Sequence, residues 1–223
     1  RRAGVNKIEL LQSLSVLSVA SIADADKTIR VMSSAIRPVG TEKKILGFAR
    51  TVSCYNDFLT IIAALSQSKA GDVLVVDSQE STRALVGELF STEAQRRGLS
   101  GIIVDGPVRD IEMLRQLQIP VFAKSYCPCS GTTQKIMETQ TEIQCGGITV
   151  APEEVVFGDE DGIIVASVEQ LIDLVPVAIQ IQKDEEAIVE KIREGECLTD
   201  MLNFKEHVEL LEGGLESSLS FKI

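Results

Sequence analysis

The chain has 223 residues, of which 44% are hydrophobic and 25% charged, an ordinary globular composition that can fill one substantial core. A formal net charge of −11, with Lys and Arg spread along the chain, repels a phosphate backbone and argues against direct nucleic-acid binding. No apolar run approaches the roughly 20 residues needed to cross a bilayer, and Arg1-Arg2-Ala3 has no apolar signal core behind it.

The chain order predicts an amphipathic helix over residues 6–19, where Ile8, Leu11, Leu14 and Leu17 recur at helical spacing, and a second helix start at Ser21. Residues 45–55 read as a strand that closes at Asn56, a suitable N-cap for an apolar helix over 58–65. After the turn at Gly71, residues 73–77 form a continuous apolar run of the buried-strand kind, ending on Asp77. Residues 84–97 are helical in pattern and stop at Gly98; residues 101–106 form a second buried strand. A helix over 110–117 and a strand over 120–123 complete a strand-helix alternation that predicts a parallel α/β layer.

Beyond Ser130 the pattern changes to short strands at 143–150, 154–157 and 163–166, separated by Gly146-Gly147 and by a turn ending in Asp161-Gly162. Such spacing predicts antiparallel hairpins. Residues 168–195 read as helix with a charged face of Lys183, Asp184, Glu185, Glu186, Glu190 and Lys191, which a solvated surface would also explain. With no repeat or linker, a single domain over 1–223 is expected, its helical tail beginning near 168.

Five cysteines are an odd number in a chain too large to need staples, so reduced thiols in a cytoplasmic setting are expected. The absence of an initiator Met suggests a processed N-terminus. Cys127-Pro128-Cys129 has no second Cys/His pair at zinc-ligand spacing, and the single histidine, His207, sits in an acidic tail, which argues against Ser-His or Cys-His catalysis.

In open α/β sheets, ligands bind where loops leave the carboxyl ends of parallel strands. Two such loops carry charge: one from Asp77 through Arg83 to Gly87-Glu88-Leu89, the other Asp105-Gly106-Pro107-Val108-Arg109-Asp110. Two readings of Arg109-Asp110 stand. Asp110 is a helix cap beside a surface arginine, or it is a hard-metal ligand beside a guanidinium that holds a substrate carboxylate.

These segments, together with the strand ending at Asp77, resemble the family that unites 4-hydroxy-4-methyl-2-oxoglutarate aldolases with the regulator of ribonuclease activity A, over roughly residues 10–168. The sharpest element is an acidic residue, twenty intervening residues and Arg-Asp, matched by Glu88 and Arg109-Asp110. Glu88 stands where the aldolase branch has Asp, and Ser78-Gln79-Glu80-Ser81 replaces a glycine-rich stretch common in the family. The resemblance implies a β/β/α sandwich of the swivelling-domain type with N- and C-terminal helices. It also implies a class II, divalent-metal-dependent pyruvate aldolase that decarboxylates oxaloacetate. In that picture Asp110 binds Mg²⁺ or Mn²⁺ directly and Glu88 through water, Arg109 steadies the oxyanion, and amides from Gly87 to Leu89 hold a carboxylate of the small 2-oxo acid. A homotrimer or hexamer is implied, with a C-terminal-region glutamate, Glu185 or Glu186, reaching a neighbour's site. Three alternatives remain: a Schiff-base route through Lys124, a purely structural interaction protein, and a non-catalytic regulator that binds a ribonuclease or helicase through protein contacts. The regulator branch commonly lacks the aspartate retained here as Asp110. A methyltransferase role finds no glycine-rich cofactor loop followed by an acidic strand end.

Overall fold

The computed structural model describes residues 7–222, so the Arg1-Arg2-Ala3 start lies outside the described residues. Two compact units divide at Ala178 and Ile179. In the first unit the N-terminal pattern yields two helices, α1 (Lys7–Ser15) and α2 (Val19–Ala25). The second starts earlier than Ser21 because the Ser18 hydroxyl accepts the Ser21 amide and caps it.

Two short strands follow, β1 (Arg30–Val31) and β2 (Arg37–Pro38), which the sequence reading did not anticipate. Next come β3 (Ile45–Ser53), α3 (Leu59–Gln67), β4 (Asp72–Asp77), α4 (Glu88–Arg96), β5 (Gly101–Val108), α5 (Ile111–Leu114) and β6 (Val121–Tyr126). The expected hairpins are β7 (Ile143–Cys145) with β8 (Ile148–Val150), and β9 (Val155–Gly158) with β10 (Ile163–Ala166). Among the described residues one eight-stranded sheet runs β1-β10-β9-β3-β4-β5-β6-β2, and β7-β8 form a second, two-stranded sheet. Strands β3 to β6 are mutually parallel, and β9, β10, β1 and β2 extend both edges antiparallel.

The two-residue side-chain period of the central strands sorts their apolar residues into two cores. Leu74, Val76, Ile102 and Val104 pack with Ile61, Leu65, Ala94 and Leu114 of α3, α4 and α5. Their alternates Val73, Val75, Ile103 and Phe122 pack with Ile143, Cys145 and Val150 of the β7-β8 hairpin. Hairpin, sheet and helices make the β/β/α sandwich, an α/β fold.

Three local expectations change. Asn56 does not cap α3: its backbone is left-handed, at φ 51°. Its Oδ1 accepts from the Ser81 hydroxyl and the Thr82 and Arg83 amides, while Asp57 Oδ1 accepts the Leu59 amide at the helix start. The helix expected over 84–97 begins only at Glu88, because 84–86 is extended and bridges to Val108 and Ser130. The one expected over 110–117 is the single turn α5.

From Val168, α6 (Val168–Arg193) runs through Ala178 into the second unit, where α7 (Phe204–Glu212) follows a 3-10 turn. In that unit the C-terminal segment folds back: Asn203 donates to the Ser218 carbonyl and accepts the Ser220 amide. No single helix among the described residues is long and apolar enough to cross a membrane.

Candidate active site

The carboxyl end of β5 is stitched to two loops by backbone hydrogen bonds. The Leu85 amide donates to the Pro107 carbonyl (3.2 Å) and the Arg109 amide to the Val86 carbonyl (3.1 Å). On the far side, the Ala84 amide donates to Cys129 (2.8 Å), Gly131 donates to Ala84 (3.0 Å), and Cys127 donates to Val108 (3.0 Å). The Cys127-Pro128-Cys129 segment therefore acts here through its backbone, and all five cysteines are free thiols.

This stitching sets Gly87, Arg109, Asp110 and Ser130 around a cavity of about 110 Å³. Its remaining wall is apolar: Phe58, Ala84, Leu85, Val86, Leu89 and Phe90. Phe58 and Phe90 meet edge to face, with ring centroids 5.4 Å apart, a favoured aromatic geometry.

Phe58 is held in place by the buried carboxylate next to it. Asp57, 3% exposed, accepts at Oδ2 from the Gln134 amide (2.6 Å), the Thr132 hydroxyl (2.7 Å) and the Lys135 amide (3.2 Å). Burial alone would raise this carboxyl, but these donors and the Leu59 amide together outweigh it and hold Asp57 below its ordinary value. The segment that carries Ser130 is thereby tied to the start of α3.

Asp110 does not cap its own helix. It occupies the position before α5 in a left-handed conformation, φ 59° and ψ 41°, yet makes no side-chain capping bond there. Instead its Oδ2 accepts the Glu88 amide from the start of α4 (3.1 Å) and lies 3.4 Å from Arg109 Nε. Such conformations persist in non-glycine residues where the surroundings over-determine them, often at functional sites. Gly87 makes the approach sterically feasible: a Cβ there would sit 2.4 Å from Asp110 Oδ2 and 2.9 Å from Arg109 Cγ.

Gly87, Arg109 and Asp110 thus stand together as the spacing implied. Leu89 joins them as a 75% exposed side chain at the cavity rim. Glu88 contributes its amide to Asp110, so that amide is not free for a substrate, and its side chain is not part of the cavity lining. Glu185 and Glu186 belong to the second unit, where they line an open groove with Gln182, Val189, Glu190 and Arg193. Sequence reading missed Phe58, Phe90 and Ser130 as site residues: position 58 read only as the start of an apolar helix, and nothing in the spacing announced that the two rings would meet.

Among the described residues no group of three His, Cys, Asp or Glu gathers to hold a metal. That donor set does not suit a zinc site, which takes three or four protein ligands. It does suit Mg²⁺ or Mn²⁺, which bind through one or two carboxylates and fill the remaining positions with water and substrate oxygens. At this cavity Asp110 is the carboxylate that could hold such an ion, its Oδ2 already on the Glu88 amide.

Lys124 serves elsewhere. Its Nζ pairs with Asp105 Oδ1 at 3.0 Å, outside good hydrogen-bond alignment. Its side chain is 46% exposed, unlike the desolvated lysine of a Schiff-base enzyme.

The α/β sandwich thus carries a cavity built on a strand-end Arg-Asp pair. The RraA-like family model, described as Aldolase/RraA, matches residues 19–165, and the chain belongs to that family. An uncharacterized protein of Methanocaldococcus jannaschii is 32% identical over 203 residues, 89% of this chain and 98% of the relative. A Halalkalibacterium halodurans protein, provisionally named a 4-hydroxy-4-methyl-2-oxoglutarate aldolase, is 29% identical over 183 residues, covering 81% of this chain and 87% of the relative. Among solved structures, Streptomyces coelicolor RraAS2, titled an unusual member of the RNase ES inhibitor RraA protein family, aligns with TM-score 0.71 and 27% identity. That match covers 83% of this chain and 96% of that one.

Proposed function

We propose that the protein is a class II, divalent-metal-dependent lyase that cleaves 4-hydroxy-4-methyl-2-oxoglutarate-type 2-oxo acids to pyruvate and decarboxylates oxaloacetate at the same site. The observation that carries this reading is the Asp110 carboxylate, turned from its own helix and held at the cavity by the Glu88 amide beside Arg109. Asp110 would hold Mg²⁺ or Mn²⁺ directly and Glu88 through water, and the ion would supply positive charge against the enolate of pyruvate that either reaction develops.

The chain's own groups account for the rest. Arg109 offers guanidinium N–H donors to a carboxylate or to the oxygen that gains charge. Its position beside Asp110 keeps cation and ligand in register. Glu88 supplies a carboxylate beside the site that can hold or release a proton through water. The Phe58-Phe90 pair gives one wall of the site a low-polarity surface, against which charge interactions are stronger than in water. The family's assembly implies a homotrimer or hexamer in which Glu185 or Glu186 of one copy reaches another's site. We place the chain in the cytoplasm as a single working domain with its helical tail.

A non-catalytic regulator of a ribonuclease or helicase is the competing reading, favoured by the likeness to the RNase ES inhibitor family. Pyruvate release from oxaloacetate and from 4-hydroxy-4-methyl-2-oxoglutarate, with Mg²⁺, Mn²⁺ or EDTA, separates the two. Turnover lost with EDTA and in Asp110→Ala is expected. No turnover with any metal, from a folded oligomer, would refute the lyase and favour the regulator.

A further inference from the structure

We propose that Arg83 holds the distal carboxylate of a dicarboxylate substrate and sets the preference of this cavity for diacids over mono-acids of the same skeleton. The inference rests on the lyase reading and adds a specificity-determining residue to that site. In a 4-hydroxy-2-oxo diacid, the carboxylate beside the keto oxygen is matched by Arg109 and by the ion that Asp110 would hold. The distal carboxylate needs a second cation.

Residues 84–86 form an extended segment whose two ends meet different partners. Val86 bridges to Val108, and Ala84 bridges to Ser130. At one end Gly87 lies against the Arg-Asp pair, where a Cβ would stand 2.9 Å from Arg109 Cγ. At the other end Arg83 donates from Nη1 to the Ser130 carbonyl at 3.1 Å, and both Ala84 and Ser130 line the cavity. Arg83 and Gly87 are four residues apart, no more than about 13 Å at the strand rise. An extended arginine arm and a five-carbon chain together cover about that distance at ordinary bond lengths.

Both the backbone and the charge of Arg83 are prepared for this. Its amide donates to Asn56 Oδ1 (3.2 Å) and to Ser81 Oγ (3.2 Å), and its carbonyl accepts from the Ser81 hydroxyl (2.9 Å). Arg30 and Arg50 are matched by the carboxylates of Glu154 and Asp72, whereas the Arg83 guanidinium rests on a neutral carbonyl. That bond leaves the charge and most of the donor fork for a carboxylate. In aldol cleavage the distal carboxylate stays on the departing keto acid, so the contact serves substrate and transition state alike.

The test is calorimetric titration of the full chain, with saturating Mg²⁺, by 2-oxoglutarate and by 2-oxopentanoate. These two five-carbon ligands differ only in a distal carboxylate against a methyl group. Wild type is expected to bind the diacid about tenfold tighter or more, the size of one charge-assisted contact. Arg83→Gln is expected to abolish that preference, while the Kd of 2-oxopentanoate, which reports an intact cavity, changes by less than about threefold. In the pyruvate assay the same substitution is expected to raise KM for 4-hydroxy-4-methyl-2-oxoglutarate by about tenfold. Equal binding of the two ligands by wild type would overturn the inference. So would a preference that survives in Arg83→Gln, or an equal loss of both ligands in that variant. No pyruvate from wild type with either 4-hydroxy-4-methyl-2-oxoglutarate or oxaloacetate would refute the lyase reading separately, whatever the ratio of Kd values.

Discussion

Gly87→Ala isolates the geometry on which the site depends. The backbone at Gly87, φ −153° and ψ −159°, is extended and open to alanine, so the substitution acts through sterics alone. A methyl group would stand 2.4 Å from Asp110 Oδ2 and 2.9 Å from Arg109 Cγ. Restoring ordinary contact displaces the carboxylate by about 1 Å, and a misplacement of that size can cost about 100-fold in rate. The Glu88 amide bond to Asp110 stretches with it, costing about 1–2 kcal/mol of stability for a charge-assisted hydrogen bond. Lactate-dehydrogenase-coupled pyruvate release and thermal unfolding read the two effects. An alanine variant with wild-type turnover would show that Asp110 need not sit where it does, and the reasoning would fail.

Arg109→Lys keeps the charge but loses the planar fork of donors, so KM is expected to rise by about tenfold or more under steady-state assay; an unchanged KM would remove Arg109 from substrate binding. Asp57, held below its ordinary value, stabilises the fold above about pH 4, and that contribution is lost as pH falls through the lowered folded value. Asp57→Asn should therefore be less stable at pH 7 by about 2 kcal/mol, with the gap to wild type narrowing as the solution is acidified in denaturant titrations; a gap that does not narrow on acidification would contradict this. Burial, with nearby Asp77 and Asp57, pushes the Cys54 thiol up to about 12, and burial together with Asp105 and Asp77 raises Cys145 as well. Alkylation of the native protein at neutral pH is expected to label Cys129 and Cys197 and to spare Cys54 and Cys145 until unfolding; early labelling of either buried thiol would refute their placement.

The central sheet was legible because its strands are buried on both faces and read as unbroken apolar runs, as at Val73-Leu74-Val75-Val76. The antiparallel hairpins were legible from their glycine-bearing turns. Strands β1 and β2, of two residues each, carry no period to detect. The segment 84–86 misled for a physical reason: Ala84, Leu85 and Val86 are apolar because they are buried between Val108 and the Ser130 loop. Next to a true helix, such a run cannot be told from a helical face. Asn56 likewise has the right chemistry for a cap, but its three acceptor bonds to residues 81–83 are long-range and invisible in sequence. At the site, the Arg109-Asp110 pair and its spacing from Glu88 stood out, whereas the aromatic wall needed the fold to bring Phe58 to Phe90.

The central claim, metal-supported enolate chemistry at Asp110, is tested most directly by proton exchange at the methyl group of pyruvate in D₂O, followed by NMR without any carbon-carbon cleavage. With Mg²⁺, wild-type protein should exchange these protons, and EDTA or Asp110→Ala should abolish the exchange. Exchange that persists in Asp110→Ala, or none in the folded wild type at saturating Mg²⁺, would contradict it.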